Sequence, residues 1–165
     1  FGLAGDELHF PPHLFTKTFD MLKQESYPIT VHAGEWDGPE NIRKAIHLLH
    51  PTRLGHGVRS IEDLDLVKEI IDKDIVLETC PTSNIATKIY ENYETHPVKK
   101  LHDLGVRVTV NSDDPPFFNA TIQGEYEAMK GIGFSENELV SMTSNAIESS
   151  FLEEEKKNKI LAKLD

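Results

Sequence analysis

Val31-His32-Ala33-Gly34-Glu35 decides the fold, because it places a polar and potentially reactive side chain directly after an apolar run of β-formers. The arrangement recurs where Arg53-Leu54 leads into Gly55-His56-Gly57, and again where Val108-Thr109-Val110 leads into Asn111-Ser112-Asp113-Asp114-Pro115. Polar residues at the carboxyl ends of successive buried strands are how a (β/α) barrel builds an active site. The sequence therefore predicts an α/β fold whose chemistry is gathered at one end of a parallel sheet.

The pattern along the chain is strand, loop, helix. Predicted strands are Gly2-Leu3-Ala4-Gly5 (the tail of a strand), Ile29–His32, Arg53–His56, Ile75–Thr79 and Val106–Val110. Predicted helices between them run from Leu14 to Gln24, Gly38 to Pro51, Ile61 to Asp72 and His96 to Gly105. Short strands that alternate with helices indicate parallel β/α units. Their continuously apolar cores are typical of strands that are buried on both faces.

Beyond Asp114 the pattern changes to helices with no strand between them. Three helices are predicted, from Ile122 to Lys130, from Glu136 to Glu148 and from Glu153 to Leu164. Ser135 and Glu138 have the spacing of a capping box, and residues 81–95 form the longest irregular stretch. We predict a single partial domain over residues 1–165, with about four β/α units over 1–120 and a helical segment over 121–165.

Composition limits the classes of partner. The formal net charge is -11, from 17 basic and 28 acidic side chains. This balance argues against nucleic acid or an anionic membrane as the main partner. It suits an enzyme that acts on small neutral or cationic molecules, although a solvated acidic surface explains the charge more simply.

Cys80 is the single cysteine and ends an apolar run, where a packing role is favoured over a role as nucleophile. Such composition fits a reducing, cytoplasmic compartment. We expect no membrane span, because no apolar run is long enough to cross a bilayer.

His32, Glu35 and the Asp113-Asp114 pair carry the predicted chemistry. A lone histidine is more often a packing residue, but Glu35 supplies the ionisable neighbour that metal-assisted hydrolysis requires. Adjacent carboxylates after a buried strand repel each other unless a cation compensates, so Asp113-Asp114 is interpreted as part of a metal site. The alternative interpretation of the pair is an Asx-turn that leads into Pro115. His56, between two glycines, is open to three roles: metal ligand, acid–base group or electrostatic partner.

The remaining polar candidates are expected to have structural roles. Asn84 is expected to cap a turn in preference to lining a pocket. None of the six other histidines follows a predicted strand, and we expect surface or packing roles for all of them: His9, His13, His47, His50, His96 and His102.

Five ordered motifs resemble those of the adenosine deaminase family. They are Leu3-Ala4-Gly5-Asp6-Glu7, His32-Ala33-Gly34-Glu35, Gly55-His56-Gly57, Cys80-Pro81-Thr82-Ser83-Asn84 and Ser112-Asp113-Asp114-Pro115. Each motif is weak alone, but all five in this order at barrel spacing are a specific signature that covers essentially the whole chain. The resemblance implies the C-terminal half of a TIM-type (β/α)8 barrel, with about four β/α units followed by C-terminal helices.

The resemblance also implies catalytic roles. His32 and Asp113 would bind one Zn2+ ion in the intact active site. Glu35 would donate a proton to purine N1 as hydroxide attacks C6, and His56 would orient and stabilise that hydroxide.

Substrate contacts and the reaction follow from the same resemblance. Asp114 would hydrogen-bond purine N7, and the Gly5 backbone would face N3. The implied reaction is hydrolytic deamination of adenosine and deoxyadenosine to inosine and ammonia, with a small purine nucleoside as the partner. Adenine deaminase is the close alternative, although the Leu3–Glu7 and Gly55-His56 segments fit the nucleoside enzymes better. AMP is disfavoured because no basic cluster adjoins the motifs; a zinc hydrolase of cyclic amides and a non-catalytic barrel fragment are more distant alternatives.

One departure from the family pattern is large. Family members supply two further zinc ligands from a His-x-His motif, which this sequence does not contain, and the chain begins with Phe1. We therefore expect a C-terminal fragment with an incomplete zinc site, which alone binds zinc weakly and is inactive. Its open strand edges predict pairing with the missing N-terminal half or self-association.

Overall fold

Five parallel strands form one sheet in a computed structural model of the chain, which describes residues 1–164. The strands are Gly2–Leu3 (β1), Thr30–Ala33 (β2), Arg53–His56 (β3), Val76–Thr79 (β4) and Val108–Val110 (β5). They lie in sequential order, and each neighbouring pair is parallel. The five predicted strands are present, and the α/β prediction is confirmed.

Nine α-helices surround and extend the sheet in the described part of the chain. They are Thr16–Gln24 (α1), Pro39–Leu49 (α2), Leu64–Asp72 (α3), Pro81–Ala86 (α4), Val98–Asp103 (α5), Pro115–Phe118 (α6), Ile122–Ile132 (α7), Glu136–Glu148 (α8) and Glu154–Leu161 (α9). Pro12–Phe15 and Val58–Glu62 form 3-10 helices. The short helices α4 and α6 were not predicted, and α4 makes the prediction of an irregular stretch over residues 81–95 wrong at its start. Both helices begin with proline. An N–H group in the first helical turn has no intrahelical acceptor, so proline, which lacks this group, loses no hydrogen bond there.

One face of the sheet packs against helices. The strand register places Val31, Leu54, Leu77 and Val108 side by side, and all four are fully buried. Burying an aliphatic side chain of this size stabilises a fold by about 2 kcal/mol. Successive residues of a strand point to opposite faces, so the neighbours of this row project from the other face of the sheet.

That other face is polar and partly open. Thr30, His32, Gly55 and Glu78 lie on it and line a cavity, and the residues of β2 and β3 alternate between half-buried and buried. The expectation of strands buried on both faces is therefore wrong for β2 and β3. The alternation exists because this face carries the side chains of the candidate site.

The C-terminal helices cover the β5 end of the sheet. Asn145 of α8 donates a hydrogen bond from Nδ2 to the backbone oxygen of Val108 at 3.1 Å. The predicted capping box at the start of α8 is confirmed, because Ser135 Oγ accepts from the Glu138 N–H while the Glu138 carboxylate accepts from the Ser135 N–H. None of the helices described is long and apolar enough to cross a membrane.

Candidate active site

A cavity of about 750 Å³ opens on the polar face of the sheet and reaches the carboxyl ends of the strands. It is lined by Gly2, Leu3, Ala4, Thr30, His32, Gly55, His56, Glu78, Cys80, Val110, Asn111, Ser112, Asp113 and Ile122. Three of the predicted site residues, His32, His56 and Asp113, are therefore brought together on its wall.

His32 and His56 lie face to face beside this cavity. Their ring centroids are 4.5 Å apart and their planes are inclined by 10°. The register pairs His32 with Gly55, and a Cβ atom on Gly55 would come within 2.7 Å of His32 Cδ2. Glycine at position 55 thus allows the His32 ring to lie across β3, which is a close approach that other residues would block.

The backbone is strained where two of the site residues turn away from their strands. His56 has a φ of 60° and Asp113 has a φ of 55°, which places both in the left-handed region that non-glycine residues rarely occupy. Such conformations cost of order 1 kcal/mol or more and occur preferentially at functional sites. Here they direct an imidazole and a carboxylate toward the same space, since His56 Nε2 lies 3.8 Å from Asp113 Oδ2.

Glu7 holds the loop that carries Glu35. Its carboxylate accepts hydrogen bonds from the backbone N–H groups of Gly34, Glu35 and Asp37, at 2.9, 3.1 and 3.2 Å. Glu7 is buried, and these donors compensate the cost of placing a carboxylate there. The place of Glu7 in the Leu3–Glu7 motif is the only signal in the sequence for this role, which was not predicted.

The Glu35 side chain is buried against His56. Glu35 is 8% exposed, and its Oε2 lies 3.5 Å from His56 Nε2. Burial, and then the negative charges of Asp113 and Glu7, raise the pKa of Glu35 to about 7. A carboxyl group with such a pKa can both donate and accept a proton near neutral pH, as a general acid–base group must.

His56 remains neutral in this environment. Burial and the neighbouring His32 ring lower the pKa of His56 to about 3. Asp113, on the other side of His56, is held by Ser83, whose Oγ donates to Asp113 Oδ2 at 2.6 Å. Ser83 belongs to α4, so the unpredicted helix contributes directly to the site.

Asn84 lies at the centre of the site, which makes the expectation that it caps a turn wrong. It is fully buried, and its Nδ2 lies 3.2 Å from Glu35 Oε1 and 3.1 Å from His56 Nδ1. His96 Nε2 lies 3.1 Å from Asn84 Oδ1. His96 is therefore not a surface residue but a buried member of the same network, although nothing in the local sequence around it points to this role.

Gly5 and Asp114 occupy more open positions. Gly5 has a φ of 124° and lines a smaller adjoining cavity of about 330 Å³, together with Glu7 and His32. Asp114 is exposed at the start of α6, where its backbone oxygen accepts hydrogen bonds from the N–H groups of Phe117 and Phe118. Neither residue is on the wall of the larger cavity.

The donor set at the strand ends fits a divalent metal ion. Donor atoms of His32, Glu35 and His56 lie within 4.8 Å of one another, as do those of His56, Cys80 and Asp113. Imidazole nitrogen and carboxylate oxygen are ligands for zinc and for other divalent first-row metals. The predicted ligands His32 and Asp113 both line the cavity. They belong to different sets of donor atoms, and His56 is a member of both sets.

Cys80 is buried beside these residues, and its burial raises the pKa of the thiol well above its usual value. The thiol therefore stays protonated near neutral pH. This supports the packing role expected for Cys80, because the nucleophilic form of cysteine is the thiolate.

The known proteins that this chain resembles include several purine deaminases. The model of the adenosine deaminase family matches residues 1–165. The adenine deaminase of Sinorhizobium medicae is 44% identical over 165 residues, which are 99% of this chain and 51% of that protein. The crystal structure of adenine deaminase from Arthrobacter aurescens aligns with a TM-score of 0.94 and 30% identity, over 99% of this chain and 50% of the other.

A third relative contains metal. An amidohydrolase from Burkholderia ambifaria, crystallised with bound Zn, aligns with a TM-score of 0.88 and 25% identity over 99% of this chain and 46% of the other. The chain thus spans about half the length of the relatives it matches.

Proposed function

The chain belongs to the adenosine deaminase family, and we propose that the protein containing it hydrolytically removes the 6-amino group of a purine, with free adenine as the substrate. The choice of adenine is supported by the similarity to two adenine deaminases. The observation that carries the proposed chemistry is the Glu35 carboxyl group, which has a pKa of about 7 and lies 3.5 Å from His56 Nε2.

Glu35 is the proposed acid. The purine ring resists attack by water until N1 is protonated, and a carboxyl group that is about half protonated at pH 7 can supply that proton. Protonation makes C6 electrophilic. A C6–O bond then forms and the C6–N bond breaks. One proton of the attacking water leaves with the amino group as ammonia, and the other returns to Glu35 as the C6 hydroxyl becomes a carbonyl. Adenine plus water thereby becomes hypoxanthine plus ammonia.

The neighbouring residues position the reactants. His32 and Asp113 would hold a divalent metal ion, which when bound makes water acidic enough to attack at neutral pH. His56, between Glu35 and Asp113, orients the attacking water by a hydrogen bond. Asp114 and the Gly5 backbone are the proposed contacts to purine N7 and N3.

Adenosine is the second candidate substrate. The Leu3–Glu7 motif resembles the nucleoside enzymes, and it borders the smaller cavity of about 330 Å³. A ribose on N9 lies next to N3, so this cavity is where a nucleoside would need additional space.

The test is ammonia release by the full-length, metal-loaded protein, with adenine and adenosine assayed side by side. We expect faster turnover of adenine. Turnover of adenosine alone would transfer the assignment to the nucleoside, and no release from either substrate by fully metal-loaded protein would refute the proposed function. The isolated 165-residue chain, assayed in parallel, should release no ammonia, because it contains no His-x-His ligand pair.

A further inference from the structure

The hydrogen bonds behind His56 have a direction that begins at a backbone group. The Val98 N–H can only donate, and it donates to His96 Nδ1 at 3.3 Å. His96 is 4% exposed, and burial lowers the pKa of His96 to about 4, so the ring is neutral near pH 7. A neutral imidazole carries one proton, and His96 must therefore carry it on Nε2.

The next link fixes the side-chain amide of Asn84. His96 Nε2 donates to Asn84 Oδ1 at 3.1 Å, so the amide nitrogen must face the opposite direction. There Nδ2 donates to Glu35 Oε1 at 3.2 Å and faces His56 Nδ1 at 3.1 Å. A carboxylate only accepts hydrogen bonds. The amide orientation that is set from Val98 is thus also the one in which an ionised Glu35 accepts a hydrogen bond from Asn84.

The last link sets the proton of His56. Because the amide nitrogen of Asn84 only donates, His56 Nδ1 must accept and carries no proton, so the ring proton lies on Nε2. That nitrogen faces two acceptors, Glu35 Oε2 at 3.5 Å and Asp113 Oδ2 at 3.8 Å.

We propose that Val98, His96 and Asn84 form a directional hydrogen-bond chain that holds His56 in its Nε2–H tautomer, so that His56 presents a donor to the reaction site. Asn84 and His96 are positioning residues in this chain. Of the three roles that the sequence leaves open for His56, the tautomer excludes two in the resting state. Its Nδ1 is occupied by Asn84 and its Nε2 has no free lone pair, so His56 is neither a metal ligand nor a base and acts as a hydrogen-bond donor. The catalytic consequence rests on the proposed function, whereas the tautomer itself does not.

The direct test is the protonation state of the His56 ring nitrogens by long-range 1H–15N NMR correlation in histidine-labelled full-length protein, both metal-free and zinc-loaded. The His56 signals are those lost in His56→Gln. We expect a protonated Nε2 and an unprotonated Nδ1. In Asn84→Asp the introduced carboxylate accepts from both rings, and the His56 proton should move to Nδ1. A wild-type proton on Nδ1, or an unchanged tautomer in Asn84→Asp, would overturn the proposal.

A kinetic test separates positioning from simple structural support. His96→Phe removes the donor to Asn84, whereas His96→Gln keeps an N–H group at the same place. We expect His96→Phe to lower kcat by about 10- to 100-fold with little change in KM, which is the size of loss seen when a hydrogen-bond partner that orients a metal ligand is removed. His96→Gln should recover most of the loss. His47→Gln, a half-exposed histidine of α2, is the matched control. Equal losses in both His96 variants would contradict the donor role. If the protein proves not to be a deaminase, the NMR result still decides the tautomer.

Discussion

The middle of the sheet and its two edges build the candidate site in different ways. After the central strands β2 and β3, Glu35 and His56 are buried and share the hydrogen-bonding amide of Asn84. After the edge strands β1 and β5, Gly5 and Asp114 are exposed. Within residues 1–164, the outer edges of β1 and β5 pair with no further strand. A central strand end has neighbours on both sides that can supply partners, and an edge strand end has only one such neighbour.

This difference in burial separates groups suited to proton transfer from groups suited to substrate binding. A group that transfers protons benefits from burial and fixed partners, because both shift its pKa and hold its geometry. Groups that bind a substrate need to be accessible before it arrives. We therefore expect substitutions of the buried groups in the middle of the sheet to change the chemical step or metal binding, and substitutions at the exposed edge positions Gly5 and Asp114 to change substrate affinity. Asp113 also follows the edge strand β5, but it is only half-exposed and is a proposed metal ligand.

Glu35→Gln in the full-length protein should have the largest effect. The amide is nearly isosteric but cannot donate a proton to N1, and loss of a general acid typically costs about 10²- to 10⁴-fold in kcat. Steady-state ammonia release at saturating adenine measures this loss, with little change expected in KM. Glu94→Gln, which removes an exposed carboxylate, is the matched control. A Glu35→Gln enzyme that keeps more than about a tenth of wild-type kcat would remove Glu35 from the proton-transfer role.

Gly55→Ala and Gly5→Ala make the same change at the middle and at the edge. A Cβ atom on Gly55 would meet His32 Cδ2 at 2.7 Å, so the predicted metal ligand must move, and we expect metal affinity to fall by about 10- to 100-fold. A Cβ atom on Gly5 meets nothing within 4 Å, but the φ of 124° disfavours alanine. Gly5→Ala should therefore destabilise the fold by ~1 kcal/mol and leave metal affinity unchanged.

Isothermal titration with Zn2+ and urea unfolding of both glycine variants measure the two effects. Equal metal affinities in Gly55→Ala and the wild type would show that the His32 ring does not need the space above β3, and the geometric argument for that glycine would fail.

The sequence predicted the central strands and the residues at their ends for a clear physical reason. Burial of residues such as Leu54 and Leu77 requires apolar runs that are visible locally, and the polar residue that ends each run, such as His32 or His56, stands out against them. The same local logic predicted the capping box at Ser135. These features depend on a few neighbouring residues, and each is present in the structure.

The unpredicted features depend on contacts between distant segments. Asn84 reaches Glu35 and His56 across 49 and 28 residues of sequence, and His96 joins them through a loop. A polar residue that follows Pro81 matches a turn as well as a buried network, so propensity alone favoured the wrong interpretation. The burial and donor geometry that distinguish the two exist only in the folded chain.

The pH dependence of stability should reveal the burial of Glu35 in metal-free protein. Its pKa is raised from 4.5 to about 7 in the folded state, so the folded chain binds the proton more tightly than the unfolded chain. The resulting stabilisation is complete below pH 4.5 and is lost as pH rises through 7. We expect the wild type to lose on the order of 2 kcal/mol of unfolding free energy between about pH 4 and pH 8.

Glu35→Gln should remove most of this loss and be more stable than the wild type at pH 8. Urea unfolding in the presence of a chelator measures both proteins, with Glu94→Gln as the control. Parallel pH profiles for wild type and Glu35→Gln would mean that Glu35 is solvated in solution, and the contrast between a buried centre and open edges would lose its main electrostatic support.

Asp114→Asn should have the smallest effect, because the residue is exposed at the edge of the sheet and solvent screens its charge. As the proposed hydrogen-bond partner of purine N7 it should contribute ~1 kcal/mol, or about fivefold in kcat/KM, expressed mainly in KM. Asp72→Asn, at an exposed position at the end of α3, is the control. The informative quantity is the ratio to Glu35→Gln, since both changes replace a carboxylate by its amide. If Asp114→Asn lowered kcat as severely as Glu35→Gln does, the edge would share in the proton chemistry, and the division of work between centre and edge would be wrong.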